Sequence, residues 1–203
     1  IASEFRKKIM QETPIVQEKR LAREKARLIR RKLHKKYCHT ASKQILNFVP
    51  DILEKFGRSI VAGFLPIQTE INIIPLLHEL ATEQCQLCLP VTPMEPGCLF
   101  FRTFSFGQKL ELGPYNTKHP NVGSFHVFPD LVLVPLLTFD KNYYRLGYGG
   151  GFYDRTISEF RITERKAWFV GVAYSGQAVD KVPIASTDEP MDGILTPSGL
   201  ILR

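Results

Sequence analysis

A glycine-rich segment, RLGYGGGFYD from Arg145 to Asp154, contains residue types suited to binding phosphate. Glycine has no Cβ and adopts positive φ, so successive backbone N–H groups can turn toward an anion at close range. Arg145 adds a guanidinium fork that matches phosphate oxygens. Asp154 offers a carboxylate that could hold a magnesium ion beside those phosphates. The segment therefore predicts a phosphate-binding turn.

The elements around this turn support the same interpretation. The apolar run from Leu131 to Leu137 is typical of a strand buried on both faces of a parallel sheet. A helix predicted at 149–161 would point its partly positive N-terminus at the anion. The common nucleotide fingerprints are absent, since no Gly-Lys dipeptide occurs and G-x-G-x-x-G fails at Phe152. A flexible glycine hairpin is the alternative, but it needs neither the arginine nor the helix with its aspartate.

Periodicity along the chain predicts alternating helices and strands. Helices are expected at 18–36, 40–56 with a bend near Pro50, 73–83, 149–161 and near 177–181. Strands are expected at 59–65, 86–91, 99–104, 130–137 and 167–174, with a final pair near 193–202. This alternation argues for an α/β fold with a mostly parallel sheet and helices on both faces.

Length and composition favour one domain. The chain has 203 residues, of which 44% are hydrophobic, enough for one sizeable core. We expect residues 1–17 to be a disordered or expression-derived end and 18–203 to form a single domain. The loop from 107 to 128 is long enough to be a binding loop or lid. Because no apolar run approaches the length of a membrane span, we expect a cytoplasmic protein.

The four cysteines and five histidines give no metal or redox signature. Cys85 and Cys88 have C-x-x-C spacing but lack a second pair. Buried or half-buried thiols are therefore favoured over a metal or redox site, and the histidines show no ligand spacing.

The basic charge is concentrated in one predicted helix. The net charge is +7, and Lys19 to Lys36 holds ten Lys or Arg and one Glu, which is +9 and leaves −2 elsewhere. An apolar stripe of Ala22, Ala26, Ile29 and Leu33 accompanies a basic row of Lys19, Arg23, Arg27 and Arg31. The row could be a solvated face, a wall of a polyphosphate pocket, or a nucleic-acid or membrane footprint. The last lacks a helix-turn-helix, zinc-finger or RNP signature.

Ligands of open α/β sheets bind beyond the carboxyl ends of the strands, which directs attention to the loops after Leu65, Leu137 and Ser175. Glu70, in the first of these loops, could accept hydrogen bonds from the N–H groups of a ligand or cap the following helix. Phe152 and Tyr153 could support a ring or fill the core. Asp192 could be a ligand or part of a solvated acidic turn.

Four segments together carry a family resemblance: GFLPIQTEIN, LVPLLTFDKNYYR, RLGYGGGFYDR and DEPMDGIL. The chain resembles the 5-formyltetrahydrofolate cyclo-ligase family from about Lys19 to Leu195. The resemblance implies a three-layer fold similar to the NagB/RpiA/CoA-transferase group. It also implies ATP-dependent cyclisation of 5-formyltetrahydrofolate to 5,10-methenyltetrahydrofolate, through a phosphorylated formyl intermediate, with Mg²⁺ as cofactor and ATP as co-substrate.

The resemblance also assigns roles to residues of this chain. Arg145 and Tyr153 are the implied catalytic residues, and Asp154 and Asp192 the implied metal ligands. ATP is expected to bind Lys19, Arg23, Arg145, Gly147, Tyr148, Gly149, Gly150, Gly151, Phe152 and Tyr153. The folate is expected to bind Leu65, Glu70, Tyr148, Gly149, Gly150, Gly151 and Phe152. Some relatives carry a lysine where this chain has Gly150, and Arg155 is the candidate substitute for that cation.

Two other functions compete with this interpretation. A nucleic-acid-binding module would work through the basic helix and show salt-steep binding. Another nucleotide-using enzyme could employ the same scaffold, since fold does not fix function. We expect a monomer that acts on small molecules, without a nucleic-acid or membrane partner.

Overall fold

The computed structural model describes residues 13–203, so the N-terminal end expected at 1–17 lies largely outside the described residues. Helix α1 spans Pro14–Gln44 and so includes residues 14–17. It begins at a proline, which suits the first helical position because its missing N–H has no intrahelical partner there. The expected break between 36 and 40 was wrong, since neither Gly nor Pro interrupts the helix at 37–39.

The chain bends where Pro50 predicted it. A 3₁₀ turn at Ile45–Phe48 follows α1, and helix α2 spans Val49–Phe56. The later helices are α3 (Ile74–Thr82) and α4 (Phe152–Ile162). Short 3₁₀ turns lie at Pro114–Asn116 and Ser175–Gln177. The helix expected near 177–181 was wrong, because Ala178–Val179 pairs as a strand with residues 139–140.

Each strand expected from the sequence is present, and six short strands that were not expected occur as well in the described part of the chain. They are β1 (Ile60–Ala62), β2 (Gln86–Val91), β3 (Phe100–Thr103), β4 (Leu110–Leu112), β5 (Lys118–Pro120), β6 (His126–Val127), β7 (Leu131–Pro135), β8 (Thr138–Asp140), β9 (Arg145–Leu146), β10 (Trp168–Val172), β11 (Ala178–Val179), β12 (Gly193–Thr196) and β13 (Gly199–Leu202).

A large sheet of mainly parallel strands forms the centre of this mixed α/β fold. Its order is β13-β12-β10-β7-β1-β2-β3-β6. The five inner strands from β12 to β2 are parallel, whereas β13, β3 and β6 pair antiparallel to their neighbours. Strands β11, β8 and β9 form a small second sheet, and β4 and β5 form a hairpin. The narrower likeness to the NagB/RpiA group stays a prediction.

Alternate residues of β7 pack into two different hydrophobic clusters. Leu131 and Leu133 join the cluster that contains residues of α2 and α3. Val132 and Val134 join the cluster that contains Ile157 and Phe160 of α4. Successive side chains of a strand point to opposite faces, so helices cover this central strand on both sides.

The carboxyl end of β7 is fixed by a buried glutamine. Gln177 donates from Nε2 to the carbonyl oxygens of Leu136 and Leu137, at 3.0 and 2.9 Å. Thr138 in turn donates to the carbonyl of Gln177. These bonds satisfy backbone groups that the end of a strand would otherwise leave unpaired.

The segment 107–128 is folded rather than irregular. It contains the β4–β5 hairpin and β6. Tyr115 and Asn116, at the hairpin tip, both have positive φ (58° and 61°), which is uncommon outside glycine. The Tyr115 ring contacts that of Phe152, with centroids 5.7 Å apart. The tip therefore reaches the start of α4.

Among the helices within 13–203, none combines the length and apolar character needed to span a membrane.

Candidate active site

The glycine turn leaves a run of backbone donors unused. Gly149 and Gly151 have φ of +109° and +65°, a region that disfavours side chains with a Cβ. Among the described residues, no backbone N–H group from Gly147 to Asp154 donates to a backbone or side-chain acceptor. The N–H groups of Phe152, Tyr153 and Asp154 belong to the first turn of α4. N–H groups in the first turn of a helix have no intrahelical acceptor. The turn thus presents the N–H groups that a phosphate would need.

Arg23 of α1 lies against the turn. Its Nε donates to the Gly147 carbonyl at 3.0 Å. A Cβ on Gly149 would stand 3.3 Å from the guanidinium carbon, so the close approach favours glycine there. Burial and the charge of Arg27 lower the pKa of Arg23, as expected for a cation packed beside another cation.

Arg145 and Asp154 meet beside the turn. Arg145 Nη2 is 3.1 Å from Asp154 Oδ1, and its Nη1 donates to the Glu189 carbonyl at 2.9 Å. The Glu189 N–H donates to the same Asp154 oxygen at 3.1 Å. Asp154 Oδ2 accepts no hydrogen bond from a described residue, and the side chain is 24% exposed. One oxygen is thus held by protein while the other stays available.

Lys19 joins the site through Asp188, which the sequence places in the acidic turn before Asp192 without a role of its own. Its Nζ forms an ion pair with Asp188 Oδ2, which also accepts from the Ala185 N–H at 2.7 Å. Asp188 directly precedes Glu189, whose backbone binds Asp154. The structure therefore brings Asp188 into the neighbourhood expected for Asp192.

Asp192 is not brought together with Asp154. Its Oδ2 accepts from the Phe169 N–H at 2.8 Å, and its Oδ1 accepts from Arg161 at 3.2 Å. Phe169 lies at the amino end of β10, on the sheet edge opposite the one where ligands of such folds bind. The physical reason is register, because pairing Val170 with Gly193 fixes Asp192 at that edge.

Glu70 lies buried beyond β1 and does not cap the next helix. The N-cap of α3 is Ile73, and Asn72 Oδ1 accepts from the Ile74 N–H. Glu70 Oε2 accepts from the Ile67 N–H at 2.9 Å, and Oε1 accepts from the Tyr148 hydroxyl at 3.1 Å. Burial raises the pKa of Glu70, although the Ile67 N–H, Arg30 and Tyr148 partly oppose that rise.

Arg30 is the main site residue that the sequence pattern did not single out. It is 1% exposed and lies one helical turn after Ala26 on the buried face of α1. Helical periodicity could have found it, since Arg23, Ala26 and Arg30 share that face. Its guanidinium hydrogen-bonds the Tyr148 hydroxyl and lies 3.9 Å from Glu70.

Two tyrosines and Leu65 complete this side. Burial raises the pKa of Tyr148 to about 12, with a contribution from the Glu70 charge. Burial and Glu70 likewise raise the pKa of Tyr153 above its usual range, so both hydroxyls stay protonated at neutral pH and can donate. Leu65 packs at the margin of the core cluster.

The basic helix divides its charges between two faces. Lys19, Arg23 and Arg30 contact other segments. Arg27 is exposed, although its guanidinium carbon lies 6.0 Å from the centre of the Tyr148 ring, and Arg31 is exposed. The inward set favours the interpretation of α1 as a wall of an anion pocket.

Arg155 lies beside Gly150. Its Nη2 donates to the Gly150 carbonyl at 2.7 Å and its Nε to the Gly97 carbonyl at 3.0 Å. A Cβ on Gly150 would stand 2.7 Å from the Phe152 ring. The local packing thus accommodates glycine at 150 and supplies a cation from 155.

The thiols give no sign of a metal site. Burial raises the pKa of both Cys85 and Cys88, which makes them poor metal ligands because metals bind the thiolate. No cluster of three or more His, Cys, Asp or Glu side chains within 13–203 is arranged to hold a metal ion.

The chain is thus a mixed α/β protein whose candidate site, at the carboxyl edge of the parallel strands, combines open N–H groups, inward cations and a buried carboxylate. The family model of the 5-formyltetrahydrofolate cyclo-ligases matches residues 4–197. The chain belongs to the 5-formyltetrahydrofolate cyclo-ligase family and is by that membership a ligase, which confirms the resemblance and the enzyme class drawn from the sequence.

Named relatives and solved structures agree with this family. The chain is 34% identical to the 5-formyltetrahydrofolate cyclo-ligase of Escherichia coli, over 68% of this chain and 78% of the relative. It is 28% identical to that of Haemophilus influenzae, over 88% and 97%. The solution structure of Aquifex aeolicus 5,10-methenyltetrahydrofolate synthetase is similar with a TM-score of 0.65 and 26% identity, covering 87% and 92%.

Proposed function

We propose that this protein uses ATP to cyclise 5-formyltetrahydrofolate to 5,10-methenyltetrahydrofolate, releasing ADP and phosphate. One observation carries the proposal. The Tyr148 hydroxyl donates to Glu70 while the backbone N–H groups around Tyr148 are open. A single turn can therefore contact the folate on one side and the triphosphate on the other.

The triphosphate would replace contacts that the cations now make within the protein. Lys19, Arg23 and Arg145 are paired with Asp188, the Gly147 carbonyl and Asp154, respectively. Phosphate oxygens offer each of them a more highly charged acceptor. The open N–H groups of the turn and the N-terminus of α4 would bind the remaining oxygens.

The pterin would bind Glu70 through its amino and ring N–H groups. A buried carboxylate discriminates well, because a ligand without those donors would leave the charge unsatisfied. Phe152 and Leu65 would supply apolar surface beside the folate, and Tyr153 would donate its protonated hydroxyl near the reacting groups.

The chemistry needs positioning more than an enzyme nucleophile. The formyl oxygen of the folate attacks the γ-phosphorus, and ADP leaves. The substrate's N10 then attacks the activated formyl carbon, the C–O bond breaks, the oxygen departs within phosphate, and N10 loses its proton. Arg145 would offset charge on the transferred phosphoryl group, which is the largest protein contribution expected in such a reaction.

The donor set of this site fits magnesium. Asp154 Oδ2 is free of protein hydrogen bonds among the described residues, and Asp188 lies next to the residue that binds Asp154. Magnesium favours one or two carboxylates together with phosphate oxygens and water. We propose Asp154 and Asp188 as its protein ligands. When bound, the ion would neutralise charge on the phosphates.

The test is the near-ultraviolet absorbance of the methenyl-folate product, followed with purified protein, 5-formyltetrahydrofolate, ATP and magnesium. We expect a rise that requires all four components. A folded protein that binds ATP but gives no rise would contradict the proposed reaction while leaving the phosphate site in place.

A further inference from the structure

Arg30 has a buried network that the proposed reaction does not itself require. Its Nε donates to Thr69 Oγ1 at 3.1 Å and its Nη1 to the Leu136 carbonyl at 3.2 Å. Its Nη2 donates to the Tyr148 hydroxyl, and its guanidinium carbon lies 5.3 Å from the centre of that ring. One side chain thus contacts the loop after β1, the end of β7 and the glycine turn.

Burying this charge is costly unless every donor finds a partner. The Glu70 carboxylate, 5% exposed and 3.9 Å away, supplies the countercharge. A simpler way to fill the space beneath α1 would be an apolar side chain, and four of the neighbouring positions on that face are already Ala, Ile or Leu. The cost of the buried arginine points to a role in the site.

The geometry around Tyr148 shows what that role is. The tyrosine hydroxyl accepts from Arg30 and therefore has its own hydrogen free to donate to Glu70. Arg30 so fixes both the rotation of the hydroxyl and the position of the turn that carries Tyr148. Without it, the carboxylate and the turn would be linked by one hydrogen bond from a rotating group.

We propose that Arg30 is a positioning residue that holds Glu70 and Tyr148 in the geometry that binds the folate and ties both to the phosphate-binding turn. This inference rests on the proposed function, because it takes Glu70 as the group that recognises the pterin. The Leu136 contact extends the same link to the central strand of the sheet.

A pH dependence follows from the groups that face Glu70. These are Arg30 from α1, Tyr148 from the glycine turn and Tyr153 from α4. Burial raises the pKa of Glu70 and the arginine charge opposes the rise. Folate binding needs the ionised carboxylate, so kcat/KM should fall as the pH drops through that pKa. This fall is the acid limb of the pH profile of kcat/KM. Removing the arginine charge should raise the pKa of Glu70 further and so move the acid limb to higher pH.

The experiment compares Arg30→Gln, Arg30→Lys and Tyr148→Phe with wild type. Lys32→Gln, which removes one charge from the exposed face of the same helix, is the matched control. For each variant, kcat, the KM for 5-formyltetrahydrofolate and the pH profile of kcat/KM are measured, together with the folate dissociation constant by calorimetry. Circular dichroism reports folding.

For Arg30→Gln we expect the folate KM to rise about tenfold, as for loss of a hydrogen bond with a charged group, with a smaller change in kcat. Its acid limb should lie at higher pH. Arg30→Lys keeps the charge, so its acid limb should lie close to that of wild type while the folate KM stays raised. Tyr148→Phe should raise the KM, and Lys32→Gln should match wild type.

A folded Arg30→Gln variant with wild-type folate KM and acid limb would overturn the inference. If that variant does not fold, wild-type folate KM in Arg30→Lys and Tyr148→Phe would overturn it equally. If wild-type protein binds the folate without forming product, only the proposed reaction is contradicted. The folate dissociation constants of the variants would then still test the role of Arg30.

Discussion

The two edges of the central sheet use charged side chains in different ways. At the amino edge, Asp130 precedes β7 and accepts from the Ile60 N–H at 2.8 Å, and Asp192 precedes β12 and accepts from the Phe169 N–H at 2.8 Å. Each carboxylate binds the neighbouring parallel strand. At the carboxyl edge, the glycine turn carries N–H groups that no described residue accepts from, beside Arg23 and Arg145.

This comparison distinguishes charged side chains that stabilise the fold from those that we propose to bind a ligand. At the amino edge, Asp130 and Asp192 use their carboxylates to hold neighbouring strands together. Donors left open beside paired cations retain the capacity to bind a ligand, since a phosphate can satisfy them all at once. Asp192 and Asp154 are both aspartates near Glu189, yet only Asp154 keeps an oxygen, Oδ2, that accepts from no described residue.

The largest expected effect comes from Asp154→Asn. The amide keeps the size of the side chain and an acceptor for the Glu189 N–H, but it loses the charge that faces Arg145 and the proposed metal. We expect kcat to fall about 1,000-fold while the free energy of unfolding changes by about 1–2 kcal/mol. Steady-state kinetics and thermal unfolding test this, and near-normal turnover would remove Asp154 from the site.

Gly149→Ala should reduce kcat/KM for ATP about 10- to 100-fold, because the new Cβ displaces the Arg23 guanidinium. Gly57→Ala is the matched control at the amino edge, with φ of +67° and no atom within 4 Å of the new Cβ. Both changes should cost about 1–3 kcal/mol of stability through backbone strain. Equal activity in the two variants would show that the turn does not need its close approach to Arg23.

The Arg155→Ala variant tests whether a cation from α4 contributes to ATP binding at the glycine turn. We expect the KM for ATP to rise about threefold, since the arginine is partly exposed and its charge acts through solvent. The kcat should change less. An unchanged KM would mean that Arg155 only holds the Gly150 and Gly97 carbonyls.

Asp192→Ala should affect stability and leave catalysis almost intact. The change removes hydrogen bonds to Phe169 and Arg161, so we expect a loss of about 1–3 kcal/mol in the free energy of unfolding. Asp130→Ala should behave similarly. Turnover that disappears in a folded Asp192→Ala variant would restore Asp192 as a metal ligand and contradict the division between the edges.

Local patterns in the sequence predicted the strand, turn and helix around Arg145–Asp154 because that segment is contiguous. The same holds for the alternation of strands and helices, and for Glu70 as a residue beyond β1. In each case neighbouring residues carry the signal, through apolar periodicity or the backbone freedom of glycine.

Residues whose roles depend on distant partners were harder to predict. Asp188 and Asp192 lie in one acidic turn, and only the register of β12 on β10 determines which of them faces Lys19. Arg30 looks like one of many helix cations until its partners at Glu70 and Leu136 are known. The continuity of α1 past residue 36 was missed because a change of composition is a weaker signal than Gly or Pro.

The order in which the chain is synthesised gives the Lys19–Asp188 pair a further consequence. The partners are 169 residues apart, and Arg23 and Gly147 are 124 apart. A chain emerging from the ribosome therefore cannot bring the proposed triphosphate site together until Asp188 has been translated. Closing such long loops is entropically unfavourable, so a bound nucleotide should stabilise the contact of α1 with the segments around Gly147 and Asp188, late in folding.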